Sequence, residues 1–157
     1  VTFIATANIG AEYTATRVID RAILDRFQII EMDTLDKDQE VGLLNLKYPA
    51  VEDVTINAIA EIADHTRKVV RSDDPKVSTI VSTRQTVEMA SMVFDGFSLE
   101  ESAEVCIYPF YSDAGGVDSE RTYMKQLIQK YVNFGSSGEN PWDDAEDLTQ
   151  SDVALNV

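Results

Sequence analysis

Near Asp33 the hydrophobic pattern changes period, and that change limits the possible folds more than any other feature of the chain. Before it, Val1–Ala5 is a short apolar run and Gln28–Met32 reads as a second short strand. A short apolar run such as Val1–Ala5 is the pattern of a strand covered on both faces. After it, apolar residues recur every three or four positions, the period of an amphipathic helix. The expected fold is therefore an α/β remnant over residues 1–33 followed by an all-α bundle over 34–134, mostly α overall. Residues 135–157 differ again, with six acidic residues, no basic ones and few apolar ones. That composition reads as an acidic mobile tail.

Within the helical stretch, the ends of the helices are written locally. Asp36 with Gln39, Ser82 with Gln85, and Ser98 with Glu101 each carry the capping-box pattern, in which cap and third residue satisfy each other's backbone donors. The first predicted helix runs from Asp36 to Leu46 and stops at Tyr48-Pro49. The second, Glu52–Arg71, has an inner face of Val54, Ala58, Ile59, Ile62, Ala63, Thr66, Val69 and Val70. The third starts at Ser82, carries Val87, Ala90, Met92, Val93 and Phe94 inward, and ends near Gly96. A short helix follows Ser98 to about Ile107, and a last one runs from Asp118 or Ser119 to about Asn133. In the first region, Asn8–Thr16 reads as a loop and Arg17–Phe27 as a helix with Phe27 anchoring its end.

Composition narrows the class. The chain has 157 residues, 44% of them hydrophobic, enough for one ordinary core or two small ones. A net charge of −15 excludes nucleic-acid binding by bulk electrostatics, which needs clustered Lys and Arg. The lone Cys106 has no intrachain disulfide partner and points to a reducing compartment. No apolar run approaches the roughly eighteen residues of a membrane span, and no signal pattern opens the chain. The chain reads as cytoplasmic, with no membrane partner. A strand at Val1 needs sheet partners, and only one other good strand follows, so the expectation is the C-terminal portion of a longer protein.

Three polar residues stand where chemistry can be done. Asn8 follows the first apolar run, at the strand end where open α/β sheets bind ligands; an amide there can orient water or bond a phosphate oxygen, or simply satisfy a turn before Gly10. Arg26 precedes Phe27 at a helix end, as a charge complementing the helix dipole or as a finger for a transferring phosphoryl group. Arg84 lies in the first turn of its helix, where the backbone is already partially positive. Either an anion offsets it there, or it pairs with Glu88 one turn on. Arg17 and Arg21 share the Arg26 helix, on a solvated face or at an interface. No G-x-x-x-x-G-K-[ST] occurs. Ile29–Asp33 faintly mimics a strand ending in acids, but its place after Arg26 assigns it no metal. His65 is the only histidine, so neither a zinc site nor a Ser/His/Asp set is supported, and no metal ligands are expected in this chain.

Taken in order, Thr6-Ala7-Asn8, Tyr13–Arg17, Leu24-Asp25-Arg26-Phe27 and Ser82-Thr83-Arg84 resemble the second half of an AAA+ ATPase, of the MoxR and cobaltochelatase small-subunit type. The resemblance covers roughly residues 1–134. It implies that Asn8 is the first sensor of the γ-phosphate, Arg26 the finger reaching into the adjacent subunit, and Arg84 the second sensor, on a helical lid. Arg17 and Arg21 are further candidate interface arginines. Ala15 stands where the family usually has Gly, so the resemblance implies a stiffer loop there. ATP and Mg2+ are implied as cofactors, with their main ligands upstream of Val1, so this chain alone is expected to be inactive. A ring-shaped homo-oligomer is also implied, acting on a protein substrate or beside a partner with a metal-adhesion domain, in remodelling or metal insertion. Two other functions compete: a non-enzymatic helical interaction module, and a DNA-acting AAA+ motor.

Overall fold

The computed structural model describes residues 2–6, 22, 25–30 and 32–134. The chain divides into two compact units, Val1–Asp33 and Thr34–Val157. In the first, Ala22 is helical and Asp25-Arg26 form a turn, while residues 2–6 and 28–30 have no regular secondary structure. Among the described residues there is no strand, so the α/β part of the expected fold is not seen. A strand exists only when another strand pairs its N–H and C=O groups, and neither apolar run finds such a partner among the described residues. Phe3 is 79% and Ile4 91% exposed, as are most of Ile30 and Met32. Phe27, expected to anchor a helix end, is about half exposed at 45%.

Among its described residues the second unit has five α-helices: α1 (Lys37–Lys47), α2 (Asp53–Val70), α3 (Thr83–Phe94), α4 (Leu99–Cys106) and α5 (Glu120–Phe134). Two single 3-10 turns, Tyr108–Phe110 and Gly116–Asp118, join α4 to α5. All three capping boxes form: Asp36 with Gln39, Ser82 with Gln85, and Ser98 with Glu101. The third helix ends by a Schellman pattern, with Phe97 N–H donating to Met92 O and Gly96 N–H to Val93 O. Gly96 sits at φ 98°, left-handed backbone that a side chain at this position would strain.

The second helix is the hub, packing against α1, α3 and α5, while α4 bridges α3 and α5. Its buried positions, Ile56, Ala58, Ile59, Ala60, Ile62, Ala63, Thr66 and Arg67, recur with the helical period and form one broad stripe. Around it close Leu44 of α1, Met89 and Ala90 of α3, Ala103 and Cys106 of α4, and Met124, Leu127 and Ile128 of α5. Val77 and Val81, in the connection before α3, and Ile107, Tyr108, Tyr111 and Tyr131 also belong to the core. Three expected core residues lie outside it, half-buried Val93 among them. Val54 is 63% exposed in the first turn of α2, and Phe94 is 54% exposed at the last residue of α3, its ring 5.9 Å from Tyr48.

The long connection from α4 to α5 is held by polar contacts. The Glu120 carboxylate accepts from Ser78 N–H at 2.7 Å and Ser112 N–H at 3.3 Å. Partial burial raises its pKa, but the hydrogen bonds from Ser78 and Ser112 outweigh this and hold it below the usual range. Tyr111 is buried and donates its hydroxyl to Thr79 O, tying the connection before α3 to the one before α5.

Candidate functional site

The amino end of α3 is the place where the fold gathers charge. Ser82 caps it, and Gln85 answers by accepting from Ser82 N–H at 2.9 Å. The Gln85 amide also donates to Cys106 O at 3.2 Å, which fastens α3 to α4. No acidic residue lies in the first turn, so the partial positive charge of the helix terminus is uncompensated by its own side chains. Arg84 stands in that turn and is exposed. The pairing with Glu88 one turn on is not made: among the described residues, no carboxylate lies in ion-pair range of the Arg84 guanidinium. A solvent-facing guanidinium at a helix amino terminus can bind an anion, and a phosphate oxygen suits both donors.

Beneath this turn lies a buried ionic cluster that the sequence did not announce. Glu40 of α1 is fully buried and Arg67 of α2 is 3% exposed. Arg67 Nη2 meets Glu40 Oε2 at 2.9 Å. The same guanidinium donates from Nη1 to Leu35 O at 2.7 Å and from Nη2 to Val81 O at 3.3 Å. Thr83 Oγ1 donates to Glu40 Oε2 at 3.1 Å, and Thr86 Oγ1 donates to Glu40 Oε1. Arg67 Nε, also buried, has no hydrogen-bond partner among the described residues. Thr66, beside Arg67, accepts from Val81 N–H at 3.0 Å, so adjacent residues of α2 hold the approach to α3. One signal for Arg67 was available: it falls on the apolar stripe of α2, and a charge on such a stripe must be paired. Its partner is 27 positions away, and no local pattern names Glu40.

The other sequence candidates are placed differently. Arg26 is exposed in the turn of the first unit, and no helix end is described around it. Asn8, Arg17 and Arg21 lie outside the described residues, as does the tail expected over 135–157. His65 is half-buried on α2, with Nε2 2.8 Å from the Tyr123 hydroxyl of α5. Its pKa is lowered, first by burial and then by Lys130 and Lys68, against the opposing pull of Asp64. Cys106 is buried, and burial together with Glu88 pushes its thiol up, which keeps it protonated and unsuited as a nucleophile. Among the described residues no group of three His, Cys, Asp or Glu could hold a metal ion. None of their helices is long and apolar enough to cross a membrane.

Among the described residues the second unit is all helical, as expected of a helical lid, with an exposed arginine in the first turn of its third helix. Residues 43–130 match the CbbQ/NirQ/NorQ C-terminal family. The chain belongs to that family, whose members are AAA+ ATPases of the MoxR type. It is also similar to a protein of Thauera aromatica named as a candidate chaperone, BssE, with 36% identity over 138 residues. That match takes in 87% of this chain and 43% of the relative, so the chain spans less than half of its relative's length.

Proposed function

We propose that this chain supplies the helical lid, and the end of the nucleotide-binding core, of an AAA+ ATPase that couples ATP binding and hydrolysis to remodelling or metal-insertion maturation of a partner protein. The observation that carries this reading is Arg84, exposed without a carboxylate partner among the described residues in the first turn of a helix that has no acid of its own there, in a domain of an ATPase family. A bound nucleotide would supply a phosphate oxygen for the Arg84 guanidinium. Arg84 would hold a phosphate oxygen and thereby link the nucleotide's state to the position of the lid. Asn8 would orient the attacking water beside the terminal phosphate, and Arg26 would offset charge on the phosphoryl group in an adjacent subunit of a ring. Arg17 and Arg21 would line the same interface.

Mg2+ would be held with the phosphates by residues outside this stretch, where it neutralises phosphate charge. With no G-x-x-x-x-G-K-[ST] in these 157 residues, the stretch by itself is not expected to hydrolyse ATP. The remodelling role draws support from the relative named as a candidate chaperone. Turnover and ATP affinity of the full-length protein and its Arg26→Ala variant test the proposal together. Expected are Mg2+-dependent hydrolysis, a turnover loss of about a thousandfold or more in the variant, and unchanged ATP affinity. A full-length protein that neither binds nor hydrolyses ATP would leave only the interaction-module reading.

A further inference from the structure

We infer that the buried Glu40–Arg67 pair, acting through Thr83 and Thr86, is the device that aims Arg84. This rests on the reading of Arg84 as a nucleotide contact and adds the residues that make it one. Four of the five residues from 82 to 86 are fastened. Ser82 is locked in its capping box, Gln85 to Cys106 O, and Thr83 and Thr86 to the two oxygens of Glu40. Arg84 is the exposed member of the five. Residues three apart lie on one face of a helix, so the two threonines present a single edge to α1, and a carboxylate bridging them fixes how α3 is rotated about its own axis. Rotation matters most for the long side chain that leaves from between them.

An apolar contact could hold α3 against α1, but it would not fix that rotation, because the hydrophobic effect has no direction. A buried ion pair is a poor way to gain stability, since desolvation offsets most of the attraction. Its directional bonds are what an apolar replacement lacks. Arg67 completes the device. It holds Glu40 from behind and bonds Leu35 O and Val81 O, at the start of the unit and just before the cap of α3. The position of Arg84 is thereby referred to two other helices and to the chain segment entering the unit. Glu40, Arg67, Thr83 and Thr86 are positioning residues; none is proposed to touch nucleotide.

Thr83 offers the cleanest test, because it is only partly buried and valine keeps its shape while removing the hydroxyl. ATP affinity and the kcat and KM for ATP are measured in the full-length protein for T83V, T83S, R84A and the T83V/R84A double variant. The inference predicts that T83V weakens ATP binding about threefold to tenfold, in the direction of R84A, and that T83S restores it. In the R84A background, T83V should have no further effect, because nothing is left to aim. Losses that add in the double variant would overturn the inference, as would wild-type affinity in T83V when R84A binds poorly; the ATPase reading would survive either result. Wild-type binding and turnover in R84A would instead overturn the role of Arg84 itself and the aiming device with it.

Discussion

The two units of this chain make opposite use of apolar residues. In the helical unit, Ile56, Ile59 and Ile62 of α2 are fully buried, and every α-helix contributes to the core around them. In the first unit, Phe3, Ile4, Ile30 and Met32 are about as apolar and at least 79% exposed. The difference is one of range. A helix satisfies its backbone from residues four positions away, so capping boxes and a three-to-four period specify it locally, and neighbouring helices then cover its stripe. A strand satisfies its backbone only from another strand. The same hydrophobicity therefore produces a finished core in one region and an open apolar surface in the other. Under the proposed function, that open surface is the part of the ATPase core that needs the rest of its sheet.

This contrast can be broken by experiment, beginning with the buried pair. Arg67→Ala leaves Glu40 charged and unpaired in the core, and should destabilise the helical unit by about 3–5 kcal/mol; a urea titration showing a loss below about 1 kcal/mol would mean that the cluster is open to water. Ile59→Ala empties a fully buried site at the hub and should lose about 2–5 kcal/mol. Ile4→Ala is its counterpart in the first unit, where 91% exposure predicts a change within about 0.5 kcal/mol in the same titration. Equal losses at positions 4 and 59 would erase the distinction between the units. Between these extremes, Ser98→Ala removes a cap from α4 and should reduce stability by about 1 kcal/mol.

The smallest expected effect is a pH dependence centred on His65. Its folded-state pKa lies below the ordinary histidine value, so the unfolded chain binds the proton more readily. Its contribution is fully present above the unfolded pKa and is lost as pH falls through the folded one. The melting temperature should therefore drop as pH falls below the ordinary histidine range. The corresponding part of that drop should vanish in His65→Gln. A His65→Gln profile that parallels the wild type would assign the acid sensitivity elsewhere.

How far the sequence could be read follows the same division by range. Asp36, Ser82 and Ser98 announced three helix starts because cap and partner lie within one turn. Ala58, Ile59, Ile62 and Ala63 announced the inner face of α2. Val54 and Phe94 were misplaced because periodicity says which face is apolar, not where along the helix a neighbour stops covering it. At the candidate site, Arg84 was legible from its position in a first turn. The pair that underlies it was not, since Glu40 and Arg67 meet across 27 positions and through the packing of three helices. Neither apolar run of the first unit carries any mark of which strand it would pair with, and an apolar run alone does not make a strand.

The central claim is that the amino end of α3 is a nucleotide contact, and titration of ATP into the full-length protein against its Arg84→Ala variant tests it most directly. A charge-assisted hydrogen bond to phosphate is worth about 1.5–3 kcal/mol, so the variant should bind ATP roughly tenfold to a hundredfold more weakly while its melting temperature without nucleotide stays unchanged. Equal affinity in the two proteins, with normal turnover, would contradict the account and leave Arg84 as a surface charge.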